Sequence, residues 1–166
     1  LIALVAGVKR KLGLHDVKMV LITNASMLHR PVVQRGLEIL DQNQGEIWAK
    51  LEAGTEAYFQ LVDRTKIPFT RILENITATS KVRPLVLQSL FMRIHGDAPP
   101  ALEITAFCER LSEILSQGGE LRLVQLYTVA RPPAESFVTP LTEAELAAIA
   151  VEVQQTTGIA VEVFAT

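Results

Sequence analysis

Strand and helix patterns alternate along the 166 residues and predict an α/β fold: about five mostly parallel strands with helices on the outside. Three observations carry that expectation. Short β-branched runs recur, as in VKMVLIT (17–23). Between them lie amphipathic stretches bounded by prolines, glycines and capping residues. No repeat, linker or low-complexity segment divides the chain, so one domain over 1–166 is expected. Such a pattern fits an open doubly wound sheet or part of a barrel. Both place ligands at the carboxyl ends of the strands.

The elements follow in order. Leu1, Leu4, Val5, Val8 and Leu12 keep helical spacing, and Gly13 ends that helix. The chain opens inside this pattern, at Leu1, so it is expected to be part of a longer protein. The first strand is Val17–Thr23, followed by the polar loop NASMLHR. Pro31 suits the first turn of a helix reaching Leu40. EIWAKL is the second strand, and Thr55 caps a short helix over TEAYFQLVDR. Pro68 opens a helix with Ile72, Leu73 and Ile76 on one face. Pro84–Phe91 is the third strand and MRIHGDAPP a loop. Leu102 to Ser116 is helical, ending at Gly118 and Gly119. Leu121–Val129 is the fourth strand and ARPPAESFVTP a loop. Thr142 and Glu145 form a capping box for a helix from Glu143 to about Gln155, stopped by Gly158. IAVEVF is the last strand.

Composition narrows the function. Lys plus Arg is 16 and Asp plus Glu is 18, for a formal charge of −2, so no polyanion-binding surface is indicated. The single cysteine, Cys108, excludes an internal disulfide and a multi-cysteine metal site, and agrees with a cytoplasmic location. No apolar run reaches the about 20 residues needed to cross a bilayer. LIALVAGV precedes its basic residues instead of following them, unlike a signal peptide.

The strand faces carry the chemistry. Side chains two apart share a face. Asn24 follows Ile22; Lys50 and Glu52 follow Trp48; Gln88 follows Val86; Gln125 follows Leu123. A polar residue therefore sits near the carboxyl end of each of these strands. Together they predict a polar ring around a polar ligand, because unpaired buried polar groups are costly. Alternatively, Lys50 and Glu52 satisfy each other and the glutamines fill a polar core layer. Pro132 and Pro133 stiffen the loop holding Arg131, which would bind a carboxylate or phosphate over the sheet, or simply be exposed. His15, His29 and His95 lack metal-ligand spacing, and Cys108 falls in the apolar pattern of a helix with Ile104, Leu111 and Leu115.

The stretches VLITNASMLHRPVV, AKLEAGTEAYFQLV, LVLQSLF and VQLYTVARPPAES, in this order, resemble the later part of radical S-adenosylmethionine (radical SAM) iron–sulfur proteins. KLEAGTE and VQLYTVARPPAE are the most specific parts, and the resemblance spans nearly the whole chain. It implies a partial TIM-like (β/α) barrel with SAM and a [4Fe–4S] cluster at the carboxyl ends of the strands. It also implies reductive cleavage of SAM and hydrogen abstraction from a substrate by the full-length enzyme. The family's CxxxCxxC cluster motif and its Gly-Glu-Pro motif are absent, so this chain could not bind the cluster. The family implies cofactor-binding roles for Lys50 and Glu52 at motif positions, and for Asn24, Gln88 and Gln125 by strand position. Arg131 would face substrate.

Three functions remain open at this stage: a radical SAM enzyme portion, inactive alone; a SAM- or nucleotide-binding or scaffold module without redox chemistry; and a lyase with Lys50 as Schiff-base amine. A partial barrel also exposes the edge of its first strand. The chain is expected to dimerise there or to cover the edge with its own last strand.

Overall fold

The computed structural model describes residues 1–165. Five strands form one parallel sheet: β1 (Met19–Thr23), β2 (Gly45–Lys50), β3 (Leu85–Leu90), then β5 (Leu121–Tyr127) and β7 (Val161–Phe164). The order β1-β2-β3-β5-β7 follows the chain without a switch. A doubly wound sheet reverses direction at its middle, whereas a barrel adds each strand on the same side. This is therefore the partial-barrel arrangement.

Helix α1 (Ile2–Lys11) precedes β1, and five helices lie between strands: α2 (Pro31–Asp41), α3 (Glu56–Asp63), α4 (Phe69–Ser80), α5 (Ala101–Ser116) and α6 (Glu143–Thr157). They bury one face of the sheet. Ile47, Ala49, Leu51, Leu85, Leu87, Val124 and Leu126 join Leu37, Ile76, Phe107, Leu111 and Leu146 in one apolar core. The other face is open. Val20 and Ile22 are 42% and 55% exposed on β1, and Phe164 is 51% exposed on β7. Only the two middle strands, with Val86 and Gln125, bury side chains on that face.

Local chemistry explains most boundaries. Thr55 Oγ1 accepts from the Tyr58 amide at 3.2 Å and starts α3. Thr142 and Glu145 form the expected capping box on α6, which ends at Gly158 with φ of 72°. Lys9 is buried at the end of α1, where its ammonium donates to the Asn43 carbonyl at 2.8 Å and to Gln44 Oε1 at 2.9 Å. That pins α1 to the turn before β2.

Two expectations need correction. The segments read as loops, MRIHGDAPP and ARPPAESFVTP, each contain a short strand. β4 (Met92–Ile94) and β6 (Val138–Pro140) pair antiparallel outside the main sheet. His95 and Gly96, both at positive φ, make the two-residue turn that returns Asp97 against Ile94. Runs this short carry too little periodicity to read from sequence. The second correction concerns the last strand: β7 joins β5, at the edge opposite β1. The β1 edge has no strand partner among the described residues.

Candidate functional site

Register decides whether the polar residues of separate strands meet. Lys50 pairs with Gln88, Gln88 with Gln125, and Gln125 with Glu162. They form a single row across β2, β3, β5 and β7 on the open face. A β-bulge secures this. Leu85 faces Leu121 but Val86 faces Leu123, leaving Arg122 as the extra residue on β5. Without that offset Gln125 would point into the helices. Gln88 Nε2 donates to Gln125 Oε1 at 3.0 Å, so the two amides orient each other.

Just beyond the row lies the charge pair. Lys50 Nζ donates to Glu52 Oε1 at 2.9 Å, and the Tyr127 hydroxyl donates to the same oxygen at 3.3 Å. The Lys50 ammonium also lies 5.8 Å from the centre of the Tyr127 ring. Burial alone would lower the Lys50 pKa, but the Glu52 carboxylate outweighs it and holds the amine above its ordinary range. Burial raises the Tyr127 phenol against the pull of Lys50. The side chain of Glu52 is 8% exposed, and its Oε2 has no hydrogen bond to the described residues.

A cavity of about 90 Å³ opens here. Asn24, Lys50, Glu52, Asp63 and Thr65 supply its polar lining, while Phe59, Ile67 and Ile72 close the apolar side. Asp63, the last residue of α3, was not among the residues singled out from sequence. Much of its surface is exposed. Even so, burial of its carboxyl, and then the Glu52 charge, push its pKa up to about 6, with Lys50 opposing.

The KLEAGTE stretch divides into two jobs. Lys50 and Glu52 face the site. Gly54 and Thr55 dock the strand end on α5. A Cβ on Gly54 would lie 2.1 Å from the Phe107 amide nitrogen, so only glycine fits this approach. The carboxylate of Glu103, a buried residue of α5, accepts from the Gly54 amide at 2.5 Å and from Thr55 Oγ1 at 2.7 Å. The first-strand loop is held in the same manner. Ala25 sits at φ of 62°, and the buried Asn75 on α4 donates to its carbonyl at 2.8 Å. Asn75 Oδ1 lies 3.1 Å from His29 Nδ1. Asn24 lines the cavity but uses Oδ1 to accept from the Ser26 amide and hydroxyl, at 3.2 Å and 2.7 Å.

Arg131 does not join this group. It is exposed on the loop after β5 and does not line the cavity. Its loop is tied down elsewhere. Arg64 pairs with Glu135 at 2.7 Å and lies over Phe137, on which His95 stacks at 4.3 Å. The amino ends of the strands carry a network that the sequence reading missed. Glu46 Oε1 pairs with Lys18 at 2.6 Å and with the bulged Arg122 at 2.8 Å, and Oε2 accepts from Trp48 Nε1 at 3.1 Å. The hydrogen bond from Lys18 leads in lowering the Glu46 pKa. The bulge was the missing signal, because Arg122 reaches Glu46 only as the extra residue. Cys108 is buried in α5, where burial pushes its thiol up to about 11.

No protein-family model and no curated protein matches the chain. Among solved structures, it is similar to a domain of pyruvate-formate lyase-activating enzyme from Bacteroides vulgatus. That similarity covers 98% of this chain and 91% of that one, with a TM-score of 0.66 and 12% identity. At that identity the likeness shows the fold: an α/β, partial-barrel domain. Among the described residues no helix is long and apolar enough to cross a membrane.

Proposed function

We propose that this chain is the SAM-side and substrate-side portion of a radical SAM barrel. The single observation that carries the reading is the register row Lys50–Gln88–Gln125 on the open sheet face of this fold. Amide and ammonium groups aligned there suit the hydroxyls and ring nitrogens of a nucleoside. The sequence resemblance supports the same reading, and the fold neighbour agrees with it in architecture.

The two cofactors of the family fit this chain unequally. SAM fits the residues present. Gln88 and Gln125 would hold its base, and the Lys50–Glu52 pair its ribose hydroxyls. Bound SAM supplies, in a complete enzyme, the group whose cleavage starts hydrogen abstraction. This chain's residues bind, orient and exclude water. Tyr127 and Lys50 fix the Glu52 carboxylate through its Oε1. A [4Fe–4S] cluster does not fit. The only cysteine is buried in α5, and among the described residues no set of three ligating side chains could hold a metal. No redox step is assigned to the chain.

That single cysteine favours one second reading: a nucleoside-binding or scaffold module without redox chemistry. The lyase reading fares worse, since a Schiff-base amine must be unprotonated and Glu52 keeps Lys50 charged. Calorimetric titration with SAM tests the proposal. Binding that weakens about tenfold in a Gln88→Leu, Gln125→Leu double variant supports it. Equal binding to wild type and variant, or none to either, refutes it.

A further inference from the structure

We infer that the cavity beneath the Lys50–Glu52 pair is a receptor for the ammonium end of an aliphatic amine. As an anchor for substrate, it rests on the radical-enzyme reading above; as an ammonium site, it stands without it.

Size comes first. About 90 Å³ holds a handful of waters, or a group of a few heavy atoms. Sites that enclose a whole drug-sized ligand run to roughly 300–1,000 Å³. The cavity therefore takes an end group, with the rest of the ligand lying outside. Its lining has two kinds of group. Phe59, Ile67 and Ile72 offer apolar contact for methylenes. The same lining includes two carboxylates that the protein leaves partly unused. Glu52, nine-tenths buried, spends Oε1 on Lys50 and Tyr127 and has no described partner for Oε2. The Asp63 carboxylate accepts no hydrogen bond and forms no ion pair among the described residues, and only burial and the nearby Glu52 and Lys50 charges act on it.

Charge selects the ligand. Three charged groups line the cavity: Lys50, Glu52 and Asp63. Lys50 is balanced by Glu52 at 2.9 Å, which leaves the Asp63 carboxylate as the uncompensated charge. Arg64, next in sequence, is turned away onto Glu135. Asn24 and Thr65 are neutral. A carboxylate or phosphate would meet two like charges. A neutral alcohol would leave the Asp63 charge unanswered. A primary ammonium supplies three donors to just these acceptors.

The test uses the full chain with propylammonium, propionate and 1-propanol as probes of similar size, followed by methyl NMR of Ile67 and Ile72. Propylammonium is expected to shift both methyl signals in a saturable manner, more tightly at pH 7.5 than at pH 5, with propionate silent. Asp63→Asn should weaken binding about tenfold. The inference is overturned if propionate binds as well, if the two methyls do not move, or if the pH change has no effect. The wild-type mapping and pH dependence decide the matter even if Asp63→Asn does not fold. A parallel titration with 5′-deoxyadenosine, which has no ammonium, separates this site from the cofactor reading. Propylammonium binding without nucleoside binding keeps the ammonium site and removes the cofactor reading. Nucleoside binding alone does the reverse.

Discussion

Glu52 shows how one buried carboxylate can be both structure and site. Removing it strands Lys50, whose side chain is 37% exposed, so water offsets part of the loss. Glu52→Leu is expected to cost about 1–2 kcal/mol in urea unfolding, below the 3–5 typical of a fully buried pair broken on one side. The double variant Lys50→Met, Glu52→Leu should recover part of that cost. Asp63 gives a pH signature. Its carboxyl is raised from 3.8 to about 6 in the fold, so the fold favours its protonated form. That contribution is complete below pH about 4 and is lost as pH rises through about 6. Thermal unfolding between pH 4 and 7 should therefore show a decline that Asp63→Asn flattens, with the variant the more stable at pH 7. Solvent contact keeps the effect small. The Lys50–Glu52 pair was legible in the sequence because strand alternation puts both on one face. Asp63 was not, since its place beside Glu52 depends on where the end of α3 lies in the fold. Arg131 was legible as a cation on a rigid loop, but nothing local fixes where that loop lies.

At the level of elements, the end of β2 is set by α5. Gly54→Ala drives a methyl into the Phe107 backbone and should cost about 3 kcal/mol or more, or prevent folding. Glu103→Gln keeps the shape and weakens the charge-assisted bonds to Gly54 and Thr55, for about 1.5–3 kcal/mol. Both are read by chemical denaturation monitored by circular dichroism. KLEAGTE thus reads as one motif in the sequence and divides in the fold, with its first half facing ligand and its second half facing α5. Helices and parallel strands were legible because each repeats its period over several residues, and α3 and α6 add a capping threonine. β4 and β6 each span three residues and were hidden inside loops. The bulge at Arg122 was hidden too. It changes no periodicity that sequence alone displays, yet it aligns Gln125 with Gln88 and carries Arg122 to Glu46.

For the whole molecule, the strand order and one-sided helices make an open sheet with a polar row near its carboxyl ends. The same openness leaves the outer edge of β1 without a strand partner among the described residues, with Val20 and Ile22 exposed on that strand. Such an edge promotes association. Sedimentation velocity of the chain alone should show concentration-dependent self-association that Ile22→Lys reduces. The strand sequence and its helical connections pointed to this architecture, but could not say which edge β7 would join, because that choice depends on contacts with β5 far away in the chain. The central claim is that the row Lys50–Gln88–Gln125 is a nucleoside site. Amide and side-chain chemical-shift mapping with 5′-deoxyadenosine tests it most directly. Saturable shifts centred on Gln88, Gln125 and Lys50 are the expected result; shifts confined to the helical face, or no shifts at millimolar ligand, would contradict it.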